Sequence, residues 1–542
     1  MNDIIKYFID NGYLISPDAL EDIHEEDSLI IIDYLKTLKE KPSVINKDLI
    51  NLIKQNKKFI PLNWNEFDKS RVLFEKNKDK TTYNSFLSVM DPKPMNGFSD
   101  LIEVELKENE TGYEEQLSNG EESNVIILKN YYAGDKKYEV KDFVNYFKLR
   151  YDKIKDLLIS RKELQNSTSI NRVLNKIDRE GTAIIGLVND KRTTKNGNLI
   201  LNLEDPTGLI NVVVSKNKPE LFDLANDTLL DEVIGVTGQV GDKIIFVNGL
   251  FYPDIPINNE LKKAEKEEYA LFTSDMQVGS KVFYEKSFLK FIDWLNGDYG
   301  TEEQKNIAKK VKYFLIAGDV VEGVGVHPGQ EEDLEIKDIY QQYEKFANYI
   351  EKVRKDIKIV ICPGNHDAMR IAEPQPIIDK KFSKKLNEMP NVYLITNPAL
   401  VNIASTNDFQ GFNVLFYHGF SFPYIAENVE SIRKGGRLEN VDLIMKYLLQ
   451  RRHLAPSHTS TQYLPGNDED ALFIEKIPDF FISGHIHKTK VMNYRNITLM
   501  NCSCWVGMTE DQERRGIKPD PCKAILVNLK TREVKILNFM ET

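Results

Sequence analysis

The spacing of apolar positions changes several times along this chain, and each change predicts a different kind of structure. Residues 1–55 have helix-compatible apolar spacing, and Ser16-Pro17 is typical of a helix start, so we predict a small helical N-terminal module. Residues 56–124 lose this periodicity and become acidic and polar from Lys107 onward. Such a composition buries too little apolar surface to order itself, and it predicts a flexible acidic linker.

Residues 125–175 predict a strand followed by a basic helix. The run from Val125 to Leu128 is β-type, and a stripe of apolar residues then recurs at helical spacing. The stripe consists of Phe143, Phe147, Tyr151, Ile154 and Leu158. We predict that this face packs against neighbouring structure and that the segment leads into the domain that follows it.

Short β-type runs fill residues 176–258. Five of them are separated by tight-turn signals such as Asn196-Gly197 and Gly241-Asp242, and a helical stretch interrupts them at residues 219–224. Five strands and one helix in so short a span predict an OB-fold β-barrel. Another small five-stranded barrel is the alternative.

The final region, residues 265–542, alternates apolar strand-like runs with helical stretches. This alternation predicts an α/β sheet covered by helices. The chain is therefore predicted to be multi-domain, with a β-barrel OB-fold followed by an α/β domain.

Residues of the kind that bind metals follow five of the apolar runs in this last region. They are Asp275 and Gln277 after the first run, Asp319 after the second, Asn365 and His366 after the third, His418 after the fourth, and His485 and His487 after the fifth. Because ligands of open α/β sheets bind outside the carboxyl ends of the strands, we expect these side chains to share one site. Carboxylate, amide and imidazole groups together suit a pair of divalent transition metals, which can activate water and clamp a phosphoryl group. Any one histidine fits a core or surface role, but four of the eight histidines stand at strand ends.

Composition adds limits to this picture. Apolar residues make up 41% and charged residues 29% of the 542 positions, which is typical of a soluble protein. There is no run of 18 or more apolar residues and no signal-peptide pattern, so we expect a cytoplasmic protein without a membrane role. The four cysteines fit a reducing compartment, and Cys502-Ser-Cys504 is only half of a zinc motif.

The net charge of −11 argues against binding nucleic acid through bulk electrostatics, so any DNA contact must use local basic patches. Two segments offer such patches, the predicted barrel loop and the helical region at residues 432–453. Their candidate DNA-binding residues are Lys191, Arg192 and Lys195 in the loop, and Arg433, Lys434, Arg451 and Arg452 in the helical region. A solvated charged face is the alternative for both segments.

Over about its last half, the chain resembles the calcineurin-like metallophosphoesterases. The motifs that carry this resemblance are Gly318-Asp319, Gly364-Asn-His366, the lone His418 and Gly484-His-Ile-His487. The chain is more narrowly similar to the small subunits of archaeal family D DNA polymerases. Longer stretches carry that likeness, namely Gly318–Leu334, Cys362–Pro376 and Arg451–Pro456, and so does the order of an OB-fold before the phosphoesterase.

The resemblance implies a four-layer αββα sandwich and a 3′–5′ proofreading exonuclease. It also implies a large catalytic polymerase subunit as partner, the 3′ end of a DNA primer as substrate, and two divalent metal ions. Mn²⁺ is the expected metal, with Mg²⁺, Zn²⁺ and Fe as alternatives.

Carried over by position, the resemblance assigns a role to each residue of the site. One ion would be held by Asp275, Gln277, Asp319 and His487, and the second by Asp319, Asn365, His418 and His485. Asp319 and Asn365 would thus serve catalysis directly. His366 would stabilise the scissile phosphate or protonate the leaving 3′ oxygen.

Gln277 departs from the family pattern, which has a histidine at this position. A glutamine oxygen is neutral and binds Mn²⁺ or Zn²⁺ more weakly than imidazole, so an attenuated exonuclease is expected. Two alternatives stay open. One is a structural and processivity subunit of the polymerase whose site no longer turns over, and the other is a stand-alone phosphodiesterase.

Overall fold

The computed structural model describes most of the chain after residue 123 and a few residues before it. The described residues are 8, 13–15, 31, 44–45, 124–131, 137–175, 181–466, 469–508 and 518–541. The chain forms two compact units, Met1–Gly120 and Glu121–Thr542. In the first unit β1 (Leu14–Ile15) and β2 (Val44–Ile45) pair in parallel, and Phe8 and Ile31 are buried. The rest of the predicted helical module, and the linker predicted for 56–124 apart from Asn124, lie outside the described residues.

The segment before the barrel contains one strand and two helices. They are β3 (Asn124–Asn130), α1 (Val140–Ile159) and α2 (Ile170–Leu174). The apolar face of α1 packs on the barrel, where Tyr151, Ile154 and Leu158 meet Ile185 and Val233. β3 does not join the barrel that follows it in sequence but pairs antiparallel with residues 399–405 of the C-terminal region. The pairing partner of a strand is set by tertiary packing, which local sequence does not specify.

Five strands close into a barrel in the order β4-β5-β6-β8-β7. The elements are β4 (Gly181–Thr193), β5 (Leu199–Asp205), β6 (Gly208–Val214), α3 (Pro219–Asn226), β7 (Val233–Val240) and β8 (Ile244–Phe251). Alternate residues of the strands, such as Leu199, Leu201 and Leu203, fill the barrel interior. The five strands and the helix occur where the apolar pattern predicts them.

The C-terminal region is built around two six-stranded sheets. The first contains, in order, β12 (Val392–Leu394), β11 (Lys358–Cys362), β10 (Val311–Ala317), β9 (Tyr269–Thr273), β18 (Lys523–Asn528) and β19 (Val534–Asn538). The second contains β16 (Lys490–Tyr494), β17 (Ile497–Asn501), β15 (Phe480–Ser483), β14 (Phe412–Phe416), β13 (Ala399–Ser405) and then β3. Strands β9 to β12 run parallel, as do β14 and β15.

Helices cover the outer face of each sheet. They are α4 (Glu285–Asn296), α5 (Glu302–Lys309), α6 (Ile339–Glu351) and α7 (Lys380–Asn387), followed by α8 (Phe422–Asn428), α9 (Glu430–Lys434) and α10 (Val441–Arg451). One apolar core joins the first sheet to α4 and α6, a second joins the other sheet to α8 and α10, and a third lies between the sheets. These layers form the four-layer sandwich that the resemblance implied.

Candidate metal centre

The predicted ligands lie just beyond the carboxyl ends of five strands. β9 ends two residues before Asp275, β10 two before Asp319, β11 three before Asn365, and β14 and β15 two before His418 and His485. Because β9, β10 and β11 are parallel neighbours in one sheet, and β14 and β15 in the other, these side chains gather at one edge of the sandwich.

Asp319, His418 and His485 form the tightest part of the site. One ligand atom from each lies within 4.8 Å of the other two. His418 Nε2 is 3.1 Å from Asp319 Oδ2, and both side chains are almost fully buried. A carboxylate and two imidazoles at these distances can hold a transition-metal ion.

Asp275 and His487 form a second pair beside the first group. His487 Nε2 is 3.3 Å from Asp275 Oδ1. The backbone N–H of His485 contacts both Asp275 oxygens, at 3.2 and 3.1 Å, and so links the pair to the first group. Ser274 Oγ also donates a hydrogen bond to Asp275. The site therefore has one group of three possible ligands and an adjoining carboxylate–imidazole pair.

The donor atoms themselves indicate that a cation belongs here. Asn365 Oδ1 is buried without a hydrogen-bond partner among the described residues. His418 Nε2 is also buried, and it makes no well-formed hydrogen bond although Asp319 Oδ2 lies 3.1 Å away. A buried polar atom left without a partner costs about 1–3 kcal/mol. His418 Nδ1 donates to the Ala317 carbonyl at 2.7 Å, which leaves Nε2 as the nitrogen that faces Asp319. The residues present therefore fit the metal ions that the resemblance implied.

Backbone strain also occurs at these positions. The left-handed region, which disfavours side chains with a Cβ, is adopted by Asp275, Gln277, Asp319, His485 and His487, with φ between 47° and 66°. Glycines let the backbone approach the carboxylates, because a Cβ on Gly364 would lie 2.2 Å from Asp319 Oδ1. A Cβ on Gly484 would lie 2.4 Å from Asp275 Oδ2. Five strained residues in one site indicate geometry kept for function rather than for stability.

Burial and mutual charge set the protonation of these groups. Burial alone would raise the pKa of Asp319, but the neighbouring His418 and His366 hold it below its ordinary value. Burial alone would lower the pKa of His418, yet the Asp319 carboxylate raises it to about 9. Burial and then His418 lower the pKa of His485 to about 3, so its ring is neutral at pH 7 and keeps a lone pair for a metal.

His366 is more exposed than the ligand His418, and its ring is held by Glu322. Its side chain is 17% exposed, whereas that of His418 is 1% exposed. His366 Nδ1 donates to the Glu322 carbonyl at 2.8 Å and is 3.7 Å from Glu322 Oε1. The ring is therefore fixed through Nδ1, and Nε2 is the nitrogen left for a substrate.

The structure adds site residues that sequence reasoning missed. Glu322 is buried, and its Oε2 has no hydrogen-bond partner among the described residues. Asn397 Oδ1 accepts the His418 N–H at 2.9 Å, and the partly exposed Phe420 ring lies 5.7 Å from that of His485. Glu322 falls inside the stretch Gly318–Leu334, so a motif marked it, but Asn397 had no such signal.

Gln277 lies just beyond the end of β9, as its position after an apolar run predicts. The side chain is almost fully buried, and the backbone N–H donates to the Asp319 carbonyl at 3.0 Å. The backbone of Gln277 is therefore tied to that of the predicted ligand Asp319.

Three of the predicted DNA-binding residues make contacts inside the protein, which corrects their interpretation as exposed basic residues. Arg451 is buried and pairs with Glu232 at 3.3 Å, and Arg452 is buried and donates to the Ile474 carbonyl at 2.8 Å. Lys191 is partly buried and donates to the carbonyls of Asn226 and Thr228. These three charges are therefore committed to contacts within the protein.

The other four predicted DNA-binding residues are exposed. Arg433 and Lys434 both pair with Glu430, which offsets part of their charge. Arg192 and Lys195 have no acidic partner among the described residues and stay candidates for DNA contact.

The cysteines and the apolar content of the helices were also the subject of sequence-based expectations. All four cysteines are buried and free. Across the described residues, no helix has the length and apolar content needed to cross a membrane.

The four-layer sandwich and the ligand side chains at its edge match what the resemblance to metallophosphoesterases implied, and the comparison with known families points to the same class. Residues 270–489 match the family of calcineurin-like phosphoesterases. The range contains every predicted metal ligand.

Comparison with curated proteins identifies a narrower family within this class. The chain is 39% identical over 401 residues to the DNA polymerase II small subunit of Methanothermobacter thermautotrophicus, covering 74% of this chain and 80% of that one. It is 37% identical to the small subunit of Halobacterium salinarum, covering 74% and 75%. It is also 37% identical to that of Pyrococcus abyssi, covering 76% and 65%. The chain belongs to the DNA polymerase II small subunit family, and the narrower resemblance is confirmed.

Proposed function

We propose that this chain is the small subunit of an archaeal family D DNA polymerase and that its phosphoesterase domain is a metal-dependent 3′–5′ proofreading exonuclease. The relatives are named as small subunits, which implies a large catalytic subunit as partner. The observation that carries the exonuclease is the metal centre itself. Its ligands converge at one edge of the sandwich from strands of both sheets, include a buried donor atom without a partner among the described residues, and hold strained backbones.

The ligand groups divide between two ions. Asp275, Gln277, Asp319 and His487 would hold one, and Asp319, Asn365, His418 and His485 the other. When bound, two divalent ions activate water and neutralise charge on a phosphoryl group, and Mn²⁺ suits this mixture of oxygen and nitrogen ligands. Asp319 contributes to both sites.

His366 is the residue that we propose to act on the substrate. Its Nδ1–H is committed to the Glu322 carbonyl, so Nε2 is available to hydrogen bond the scissile phosphate or to pass a proton to the leaving 3′ oxygen. Buried Glu322 keeps the ring in one orientation. A ring held this way loses little entropy when substrate binds.

We also propose that the five-stranded barrel is an OB-fold. Its closed order, β4-β5-β6-β8-β7, and the helix between its third and fourth strands support this assignment.

One observation favours a second function. Gln277 replaces an imidazole with a weaker ligand, as would be expected if the chain were a structural and processivity subunit whose site no longer turns over. A stand-alone phosphodiesterase is disfavoured, because the likeness to polymerase small subunits extends over about three-quarters of the chain.

The test is an exonuclease assay on primer ends, with the chain co-expressed with its large subunit. With Mn²⁺, the wild-type complex should remove a mismatched 3′ nucleotide faster than a matched one. His366→Ala should cut turnover while metal content, measured by mass spectrometry, stays close to that of wild type. Loss of both metals in this variant would contradict the role of His366. Metal-loaded wild-type complex without nuclease activity would establish the structural-subunit alternative.

A further inference from the structure

The ion assigned above to Asp319, Asn365, His418 and His485, here called the second ion, would take its ligands from both sheets. Asn365 follows β11 in the first sheet, whereas His418 and His485 follow β14 and β15 in the second. Hydrogen bonds within each sheet do not fix the distance between Asn365 and His418, because these residues belong to different sheets. A metal site needs its ligands held within about 0.5 Å of the productive geometry, so a connection between the two strand ends matters for binding.

Two buried side-chain amides connect these strand ends. The His418 N–H donates to Asn397 Oδ1 at 2.9 Å, and Asn397 Nδ2 donates to Gln375 Oε1 at 2.7 Å. Gln375 Nε2 then donates to the Gly364 carbonyl at 3.0 Å. Since Gly364 directly precedes Asn365, these three hydrogen bonds, here called the amide bridge, run from one ligand-bearing strand end to the other.

Further contacts hold the amide bridge in one arrangement. Gln375 and Asn397 are 3% and 1% exposed, and their backbones pair through two N–H to carbonyl hydrogen bonds of 2.7 and 3.1 Å. Gln375 Nε2 also donates to the Arg370 carbonyl at 3.2 Å. Because the bridge is buried, water does not compete for its hydrogen bonds, and bonds in series strengthen one another.

The two ends of the bridge determine how each amide is oriented. The backbone N–H of His418 can only donate, and the carbonyl of Gly364 can only accept. One end therefore requires an acceptor and the other a donor, and two amides in series supply both. An apolar side chain at either position would interrupt the whole chain of hydrogen bonds.

The bridge also ends where the backbone has little room to move. A Cβ on Gly364 would lie 2.2 Å from Asp319 Oδ1 and 2.7 Å from His418 Cε1. The Gly364 N–H donates to Asp367 Oδ2 at 2.8 Å, so hydrogen bonds hold this residue at both its N–H and its carbonyl. A shift of Gly364 would therefore displace Asn365 relative to His418.

We propose that Gln375 and Asn397 are positioning residues that set the separation of Asn365 and His418 and thereby the affinity for the second ion. The proposal rests on the two-ion site of the proposed function but not on its turnover. Neither amide is an assigned ligand, and each acts through the backbone of a ligand-bearing strand end. Groups that orient metal ligands in this way typically contribute about 10- to 100-fold to metal affinity.

The test measures Mn²⁺ binding to the full-length chain without DNA, with free Mn²⁺ followed by electron paramagnetic resonance. Wild type should bind two ions. Gln375→Met and Asn397→Leu keep the approximate shape of the side chain and remove the amide, and each should raise the Kd of one ion at least about tenfold. The Kd of the other ion should stay close to that of wild type, because the bridge ends at two residues of the second site.

Asn391→Leu is the matched control. Asn391 is a buried amide whose Nδ2 donates to the Ile357 carbonyl at 2.8 Å, just before the amino end of β11 and so at the opposite end of that strand from Asn365. Its loss should lower the unfolding temperature, as the bridge substitutions do, but leave both Mn²⁺ affinities unchanged.

The double variant tests whether the two amides act as one unit. Either substitution interrupts the same chain of hydrogen bonds, so Gln375→Met combined with Asn397→Leu should weaken the second ion no more than the stronger single substitution does. A double variant in which the two single effects multiply would overturn the bridge.

Two further results would overturn the positioning role. One is an unchanged Mn²⁺ affinity in both single variants, with folding verified by circular dichroism. The other is an equal loss at both ions, which is the result of a general loosening of the fold. Gln375→Asn, which keeps an amide but is one methylene shorter, provides the measurement if the other variants do not fold. A wild-type chain that binds two ions without nuclease activity would contradict only the exonuclease, whereas one that binds no Mn²⁺ would overturn both proposals.

Discussion

Two buried groups of charged side chains occupy the larger unit, and they differ in whether the chain itself satisfies them. One is the metal centre. The other, here called the Asp470 cluster, consists of Tyr146, Arg150, His453 and Asp470, and it joins α1 to the loop after α10.

In the Asp470 cluster, protein groups satisfy the hydrogen bonds of the buried side chains. The Asp470 carboxylate accepts hydrogen bonds from Tyr146 Oη, Arg150 Nε, His453 Nε2 and the Leu472 N–H, at 2.6 to 3.0 Å. The Ala455 N–H donates to His453 Nδ1 at 3.0 Å, which fixes a neutral ring. No polar side-chain atom of these four residues lacks a partner.

In the metal centre, by contrast, protein groups satisfy the buried side chains only in part. Asn365 Oδ1 has no hydrogen-bond partner among the described residues, His418 Nε2 makes no well-formed hydrogen bond although Asp319 Oδ2 is 3.1 Å away, and five backbones are left-handed. Both groups are buried, so burial and charge alone do not distinguish structural from functional clusters. The distinction lies in unpartnered atoms and strain, which fit a cation supplied from outside the chain.

The largest effect is expected at Asp319. Asp319→Asn removes the carboxylate that both ions would share under the proposed function but keeps a residue type that tolerates a positive φ. We expect exonuclease activity to fall by at least about a thousandfold, equivalent to roughly 4 kcal/mol. The measurement is the primer assay, with exposed Asp298→Ala as the control. Activity within tenfold of wild type would contradict the shared-ligand role.

Asp470 should affect stability instead. Asp470→Ala leaves the buried Arg150 charge uncompensated, and breaking a buried pair in this way costs about 3–5 kcal/mol. Chemical denaturation, compared with Asp298→Ala, measures the loss. A change below about 1 kcal/mol, the usual value for an exposed pair, would mean that water reaches the cluster.

His453 predicts a pH dependence of the same cluster. Burial and then Arg150 lower the pKa of His453 to about 4, from 6.5 when unperturbed. The unfolded chain therefore takes up this proton first, and stability present above pH 6.5 is lost as the pH falls toward 4. The loss should be about 3 kcal/mol. His453→Gln cannot take up the proton, so denaturation series from pH 7 to 4 should show a shallower decline for the variant. Parallel declines would contradict the neutral histidine.

The smallest expected effect is at Gln277. Gln277→His supplies the imidazole of the family pattern at a left-handed position that histidine tolerates better than glutamine. The Mn²⁺ concentration for half-maximal exonuclease activity should fall about tenfold, or about 1.4 kcal/mol. Gln277→Leu, which offers no oxygen, should raise it. Identical metal curves for wild type and Gln277→His would show that the glutamine ligates as well as imidazole.

Much of the metal centre was predictable because each ligand ends an apolar run. A strand-forming sequence followed by Asp319 or His418 specifies both an element and a position at its carboxyl end. The barrel strands were predictable for the same reason, since residues such as Leu199, Leu201 and Leu203 alternate with outward-facing ones.

Features that depend on long-range pairing were not predictable. Arg451 and Arg452 look like an exposed basic helix in sequence, yet Arg451 pairs with Glu232, which lies 219 residues earlier. Asp470 meets Arg150 across 320 residues, and no local pattern marks either residue. Strand β3 likewise finds its partner far from the barrel that it precedes.

The most direct test is whether Mn²⁺ stabilises the folded chain through the metal centre. A ligand that binds only the folded state adds about 2.7 kcal/mol at a hundred times its Kd. Thermal unfolding of the wild-type chain should therefore shift to higher temperature when Mn²⁺ replaces EDTA. Asp319→Asn should show little shift, and Asp298→Ala should behave as wild type. An equal shift in wild type and Asp319→Asn, or no shift in either, would contradict the claim that metal ions bind at the metal centre and satisfy its side chains.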